Sequence, residues 1–159
     1  MTEPGERHEL MIERHIAAPP EAVWHALTTR MEEYFCPRPW RVEVIEQDLR
    51  PGGRSAMIMH GPDGERHELE GLVLEAVPNR RLVTTDALTG DWQPAGPFMV
   101  GITELTPDGD GTRYIARARH WTAEAKAQHE AMGFYDGWRI VADQLAELVE
   151  KADAPAAGA

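Results

Sequence analysis

The chain has 159 residues, enough for one domain with a real core and little more. Its formal net charge is −11 and no Lys/Arg cluster of nucleic-acid type appears, which argues against nucleic acid and anionic membrane surfaces as partners. No apolar run approaches the ~20 residues of a membrane span. The first ten residues lack the apolar core of a secretion signal, and the lone Cys36 excludes an intrachain disulfide, so a cytoplasmic location is expected.

In chain order, residues 1–7 read as a flexible arm and 8–16 as a first strand with Leu10, Ile12, Arg14 and Ile16 on one face. Ala17-Ala18-Pro19-Pro20 stops it, and Pro20 suits the first turn of a helix over 21–29 because its missing N–H would be unpaired there. Val23, Trp24 and Leu27 form one side of that helix. A second short helix is predicted over 30–35, ended by Pro37 and Pro39.

From Trp40 the pattern changes to strands and turns. Strands are predicted over 41–49, 54–60, 67–77, 80–87, 98–106 and 112–121. Pro51-Gly52-Gly53, Gly61-Pro62-Asp63-Gly64, Pro78-Asn79 and Pro107-Asp108-Gly109-Asp110-Gly111 supply turns, and 89–97 is a loop rich in Gly and Pro. Tight turns between successive strands favour an antiparallel meander.

The stretch from Thr122 to Lys151 carries Ala127, Ala131, Phe134, Trp138, Val141, Leu145 and Leu148 at alternating steps of four and three. That spacing predicts one continuous helix with a single apolar stripe, roughly 45 Å long at ~1.5 Å per residue. Thr122 is its expected N-cap, with Glu124 in the first turn. Gly133 and Gly137 lie inside it, where they either hold a space open or allow close packing. Residues 152–159 read as a frayed tail. The fold class is α+β: seven antiparallel strands, two short helices between the first and second, and a long C-terminal helix on one face.

Chemistry-bearing residues are sparse. His60, His67, His120 and His129 are the candidate metal ligands, and His60 and His67 flank one hairpin turn. A metal needs a third ligand, and the sequence offers no HxxxH or CxxC, so no metal or cofactor is expected. Strand alternation places Glu70 on the face of Leu72 and Leu74, and Arg117 and Arg119 on the face of Ile115 and Trp121. If both faces point inward, a buried Glu–Arg pair would anchor or activate a ligand. Cys36, between Phe35 and Pro37, has no base nearby in sequence and is expected to pack. No P-loop, GxGxxG, GxSxG or HExxH motif occurs.

Four stretches taken together carry a family resemblance: Ala18-Pro19-Pro20-Glu21-Ala22-Val23-Trp24; Asp48-Leu49-Arg50-Pro51-Gly52-Gly53-Arg54; residues 70–82; and residues 129–138 with Leu145. In that order they resemble the activator of heat-shock-protein-90 ATPase-like family, within the START-like (birch-pollen-allergen-like) helix-grip superfamily. The resemblance covers 8–151 as one domain. It implies a curved sheet wrapped around the C-terminal helix, with a cavity between them. Trp40, Met57, Met59, Trp92, Met99, Trp121, Phe134 and Trp138 are the expected lining, with Glu70 and Arg119 as the polar members. The function it implies is binding of a small, mainly apolar molecule. A polyketide-cyclase or hydrolase-like enzyme using the same cavity, and a co-chaperone stimulating a heat-shock ATPase, are the alternatives. A homodimer is left open.

Overall fold

The computed structural model describes residues 7–153. The chain runs β1 (Glu9–Ile16), α1 (Pro20–Thr29), a 3-10 turn (Met31–Glu33), β2 (Arg41–Gln47), β3 (Arg54–His60), β4 (Arg66–Val77) and β5 (Arg81–Thr85). A small ribbon of β6 (Leu88–Thr89) and β7 (Gln93–Pro94) follows, then β8 (Val100–Asp108), β9 (Gly111–Arg119), α2 (Ala123–Ala131) and α3 (Phe134–Asp153). The seven long strands form one sheet in the order β1-β9-β8-β5-β4-β3-β2, antiparallel at every pairing. This is the α+β architecture expected. Of the flexible ends expected at 1–7 and 152–159, residues 1–6 and 154–159 lie outside the described residues, and α3 runs on through 153.

Helix α1 starts on Pro19 and Pro20 with Glu21 in its first turn and buries Val23, Ala26 and Leu27. The second short helix contracts to the 3-10 turn, where a buried Tyr34 donates its hydroxyl to Leu27 O at 2.7 Å. The ribbon β6–β7 forms within the stretch expected to be loop.

The predicted long helix is two helices. Gly133 separates them at φ +95°, a backbone conformation that costs a side chain but not glycine. Thr122 caps the first, its hydroxyl accepting from Ala125 N–H at 3.1 Å. The stripe continues correctly through α3, whose Phe134, Ala142, Leu145, Ala146 and Val149 are buried. In α2 it fails: Ala127 and Ala131 are exposed, and His129 is the buried residue. A Cβ on Gly137 would meet nothing within 4 Å, so that glycine marks open space rather than close packing.

Packing divides the sheet. Helix α3 joins Leu10, Ile12, Ile16, Leu105, Tyr114, Ala116 and Ala118 with α1 in one core over β1, β9 and the end of β8. A smaller cluster of Cys36, Val42 and Met57, flanked by Trp40, Phe35 and Met59, sits over β2 and β3. Buried Gln144 ties the two sides together. Its amide donates to Tyr34 O at 2.8 Å and Cys36 O at 2.7 Å, and its oxygen accepts from Arg38 N–H at 3.1 Å.

Candidate functional site

Side chains directly opposite in an antiparallel ladder share a face. Leu105, Ala116 and Ala118 meet α3, so they define the concave face. Following the register outward, that face carries Gly101 and Thr103 on β8, Leu82 and Thr84 on β5, Val73 on β4, and Ser55, Met57 and Met59 on β3. These residues span the interval between the two packed clusters. Leu82, Thr84, Gly101 and Thr103 are only half-buried there, and Leu69 is 37% exposed. On the same strands the convex residues Val83, Thr85 and Ile102 are buried. Gly101 keeps the floor low, since a Cβ there would sit 3.4 Å from Thr84 Oγ1 and 3.7 Å from Met99 Cε.

At the α3 end, this floor meets a histidine–aromatic cluster. Asp86 positions it by accepting from Phe98 N–H (2.7 Å) and Met99 N–H (3.1 Å), and the Thr85 hydroxyl donates to Met99 O at 3.0 Å. His120 Nδ1 lies 2.8 Å from Phe98 O, and a carbonyl can only accept, so Nδ1 carries the hydrogen. In the neutral ring His120 Nε2 is then bare and accepts from His129 Nδ1 at 3.0 Å. Phe98, Phe134 and Trp138 surround His129 with ring centroids at 4.9, 5.1 and 5.7 Å. Burial, and secondarily the neighbouring His120, push the His129 pKa down to about 4, so His129 is neutral at pH 7.

The residues singled out in the sequence distribute unevenly. Met57, Met59 and Trp40 lie with the β2–β3 cluster, and Met99, Phe134 and Trp138 with the α3 end. The inward placement of Glu70 is overturned. It does share a face with Leu72, but Leu72 pairs with Thr85 and Arg54 on the convex side. A β-bulge between Val73 and Glu75 shifts the phase, so Val73 rather than Leu72 lies on the concave face. Glu70 is exposed and takes the Arg54 Nε at 3.0 Å, while Arg54 Nη1 lies 3.3 Å from Glu46. Arg119 and Arg117 are likewise convex. Arg117 bridges Glu104 and Glu9 at 2.6 Å each, and Arg119 Nε lies 3.5 Å from Glu9 Oε2 without a hydrogen bond.

Two tryptophans leave the expected lining. Trp92 is 58% exposed, its ring lying against Gly52 in the β2–β3 turn, and Trp121 is 51% exposed just beyond β9. His60 and His67 do not approach each other as a pair, because they fall on opposite faces. His60 Nε2 pairs with Glu43 at 2.9 Å, and His67 stacks on Trp40 at 5.8 Å. No group of three His, Cys, Asp or Glu side chains that could hold a metal ion occurs among the described residues. Burial pushes the Cys36 thiol up to about 11, which suits packing and not nucleophilic attack. Two surface depressions lie elsewhere. One, of about 540 Å³, is lined by Arg7, His8, Lys126, Ala127 and Glu130; the other, of about 310 Å³, by Arg30, Arg38, Glu147 and Lys151.

Sequence reasoning missed the His120–His129 bond, Asp86 and Gln144. The inward phase of His120 was readable, because it continues Tyr114, Ala116 and Ala118 at steps of two. Nothing local marks Asp86 or Gln144, whose partners lie 12 or more residues away.

A seven-stranded antiparallel sheet with a C-terminal helix across one end and short helices after the first strand defines a helix-grip protein. The family profile described as Activator of Hsp90 ATPase homolog 1-like protein matches residues 17–150, and the chain belongs to that family. The crystal structure of a Nitrosomonas europaea protein is similar at 38% identity and TM-score 0.85, covering 92% of this chain and 97% of that one. A Mycobacterium smegmatis protein is similar at 26% identity and TM-score 0.74, covering 88% and 89%. The AHSA1 protein from Silicibacter pomeroyi shares the fold at 20% identity and TM-score 0.67, covering 91% and 99%. No curated protein matches the chain.

Proposed function

We propose that this protein binds a small, mainly apolar molecule on the concave face of the sheet, between α3 and strands β8, β5, β4 and β3. The observation that carries this reading is the inversion of burial on β5 and β8. Their concave Leu82, Thr84 and Thr103 are half-buried, while their convex Val83, Thr85 and Ile102 are buried. A sheet normally buries the face that its helices cover. A half-open floor of Leu82 and the methyl-bearing Thr84 and Thr103, flanked by Met99 and Trp138 at one end and Met57 and Met59 at the other, suits a mainly apolar guest.

A cyclase or hydrolase would need an inward acid–base pair. Glu70, Arg117 and Arg119 are convex and engaged in their own ion pairs, which puts binding ahead of catalysis. A co-chaperone role rests on the family's description alone and ranks second. No helix among the described residues is long and apolar enough to cross a membrane. The unpaired, buried Cys36 suits a reducing compartment such as the cytoplasm.

Native mass spectrometry of freshly purified protein tests the reading. The expected result is a small molecule released on denaturation, with apolar probes raising the melting temperature of stripped protein. If nothing co-purifies and a panel of apolar probes leaves melting temperature and tryptophan fluorescence unchanged, the concave face is not a binding site.

A further inference from the structure

The hydrogen bonds around His120 have a direction, and that direction determines what the cluster offers a guest. Phe98 O accepts from His120 Nδ1, and His120 Nε2 accepts from His129 Nδ1. In the neutral imidazole one nitrogen donates and the other accepts. His129 has used its hydrogen on Nδ1, so its Nε2 is a bare lone pair. That nitrogen has no hydrogen-bond partner among the described residues. It is also not one of the fully shielded unpartnered atoms, which among the described residues are Arg81 Nε and Arg119 Nε. Nε2 therefore keeps some surface open to water, although the residue as a whole is only 8% exposed.

The surroundings restrict which molecule. Phe98, Phe134 and Trp138 stand edge-on or tilted around the imidazole, with Phe134 and Trp138 4.5 Å apart by ring centroid. Such an arrangement favours another flat ring. The cluster adjoins the concave face through Met99, which follows Phe98 and whose Cε lies close to Gly101 and hence to Thr84.

We propose that His129 Nε2 is the polar anchor of the concave-face site and selects small aromatic molecules that carry a hydrogen-bond donor, such as a phenolic hydroxyl or a ring N–H. The proposal rests on the binding reading above and adds the class of guest. With the ring's one N–H committed to His120, the bare Nε2 cannot pair with a carboxylate, whose oxygens only accept, so aromatic acids are selected against. The depressed pKa of His129 keeps that discrimination in force at pH 7. His120 is a positioning residue: it reaches the guest only by fixing the tautomer of His129.

Three probes with one ring system separate the cases: 2-naphthol donates, 2-methoxynaphthalene only accepts, and 2-naphthoate is an anion. Binding to the full chain is followed by backbone amide shifts in 15N-labelled protein. The expected order is 2-naphthol tightest, about five- to tenfold over 2-methoxynaphthalene as one neutral hydrogen bond allows, with 2-naphthoate weakest. In His129→Phe the first two should bind alike. Should that variant fail to fold, the wild type still decides the matter. Long-range 1H–15N spectra should show His129 Nε2 unprotonated in the free protein and moving upfield when 2-naphthol binds. Equal binding of 2-naphthol and 2-methoxynaphthalene, or an Nε2 already protonated, overturns the anchor while leaving the apolar site intact. Absence of binding by all three overturns both.

Discussion

The two faces of the sheet's middle strands have opposite characters. On the convex side, Val83, Ile102 and Ile115 lie at 3–8% exposure with Arg117, Glu104 and Glu13 among their neighbours in the ladder. The stems of long charged side chains can cover apolar surface while their heads stay in water. On the concave side, where a helix would be expected to do the covering, Leu82, Thr84 and Thr103 are half-open. The difference follows from geometry. Helix α3 buries its apolar stripe against β1, β9 and the end of β8, and β2 and β3 are covered by the segment after α1. Between them Val73 on β4 is covered, and the opening is left over β5 and β8. Apolar surface left uncovered in this way, when rimmed by large adaptable side chains, is where a ligand gains most from burial.

Mutations can break or sharpen that contrast. Where α3 does meet the sheet, Leu145 is fully buried, and Leu145→Ala should cost about 2–5 kcal/mol in a denaturant titration. A loss under about 0.5 kcal/mol would mean that the helix does not close this end. In the middle, the faces should respond unequally. Ile102→Ala, on the convex side, should cost about 2–4 kcal/mol, and Leu82→Ala, on the concave side, under about 1 kcal/mol. The reverse ranking would sink the face assignment.

The next effect is a pH dependence. His129 has a folded pKa near 4 against an ordinary value of 6.5, so the unfolded chain binds more protons between these limits. Its contribution to stability is complete above about pH 6.5, declines as pH falls toward about 4, and changes no further below that. Melting temperatures of wild type and His129→Phe should therefore diverge in slope across that window, the variant losing this component. Parallel curves would remove His129 from the account. Least of all, Glu70→Gln should shift stability by under about 0.5 kcal/mol, as for other exposed ion pairs. A large loss would place Glu70 inside after all.

Most of the fold was legible in the sequence, because each strand carries its own two-residue period and each turn its Gly or Pro. The errors share one physical cause. The face of Glu70 depends on a bulge at Leu74, and a bulge is a relation between two strands that neither sequence displays alone. The helix break at Gly133 was hidden because alanines at 127 and 131 fit the apolar stripe whether or not they are buried. Trp92 and Trp121 look like core residues by size, yet one belongs to the β6–β7 ribbon and the other to the start of α2. Phe134 and Trp138 belong to the part of the apolar stripe that holds through α3, which is why their place beside the core was legible. The bonded histidines were not legible, because their contact joins the end of β9 to a helix whose phase was misread.

Methyl NMR offers the most direct test of the concave-face site. Protein labelled at the methyls of Ile, Leu, Val and Thr would be titrated with 2-methoxynaphthalene, whose ring current shifts nearby methyls. Shifts are expected at the half-open Leu82, Thr84 and Thr103, while Val83 and Ile102, one residue away on the other face, stay where they are. Shifts confined to Val83 and Ile102, or no shifts at saturating probe, would contradict it.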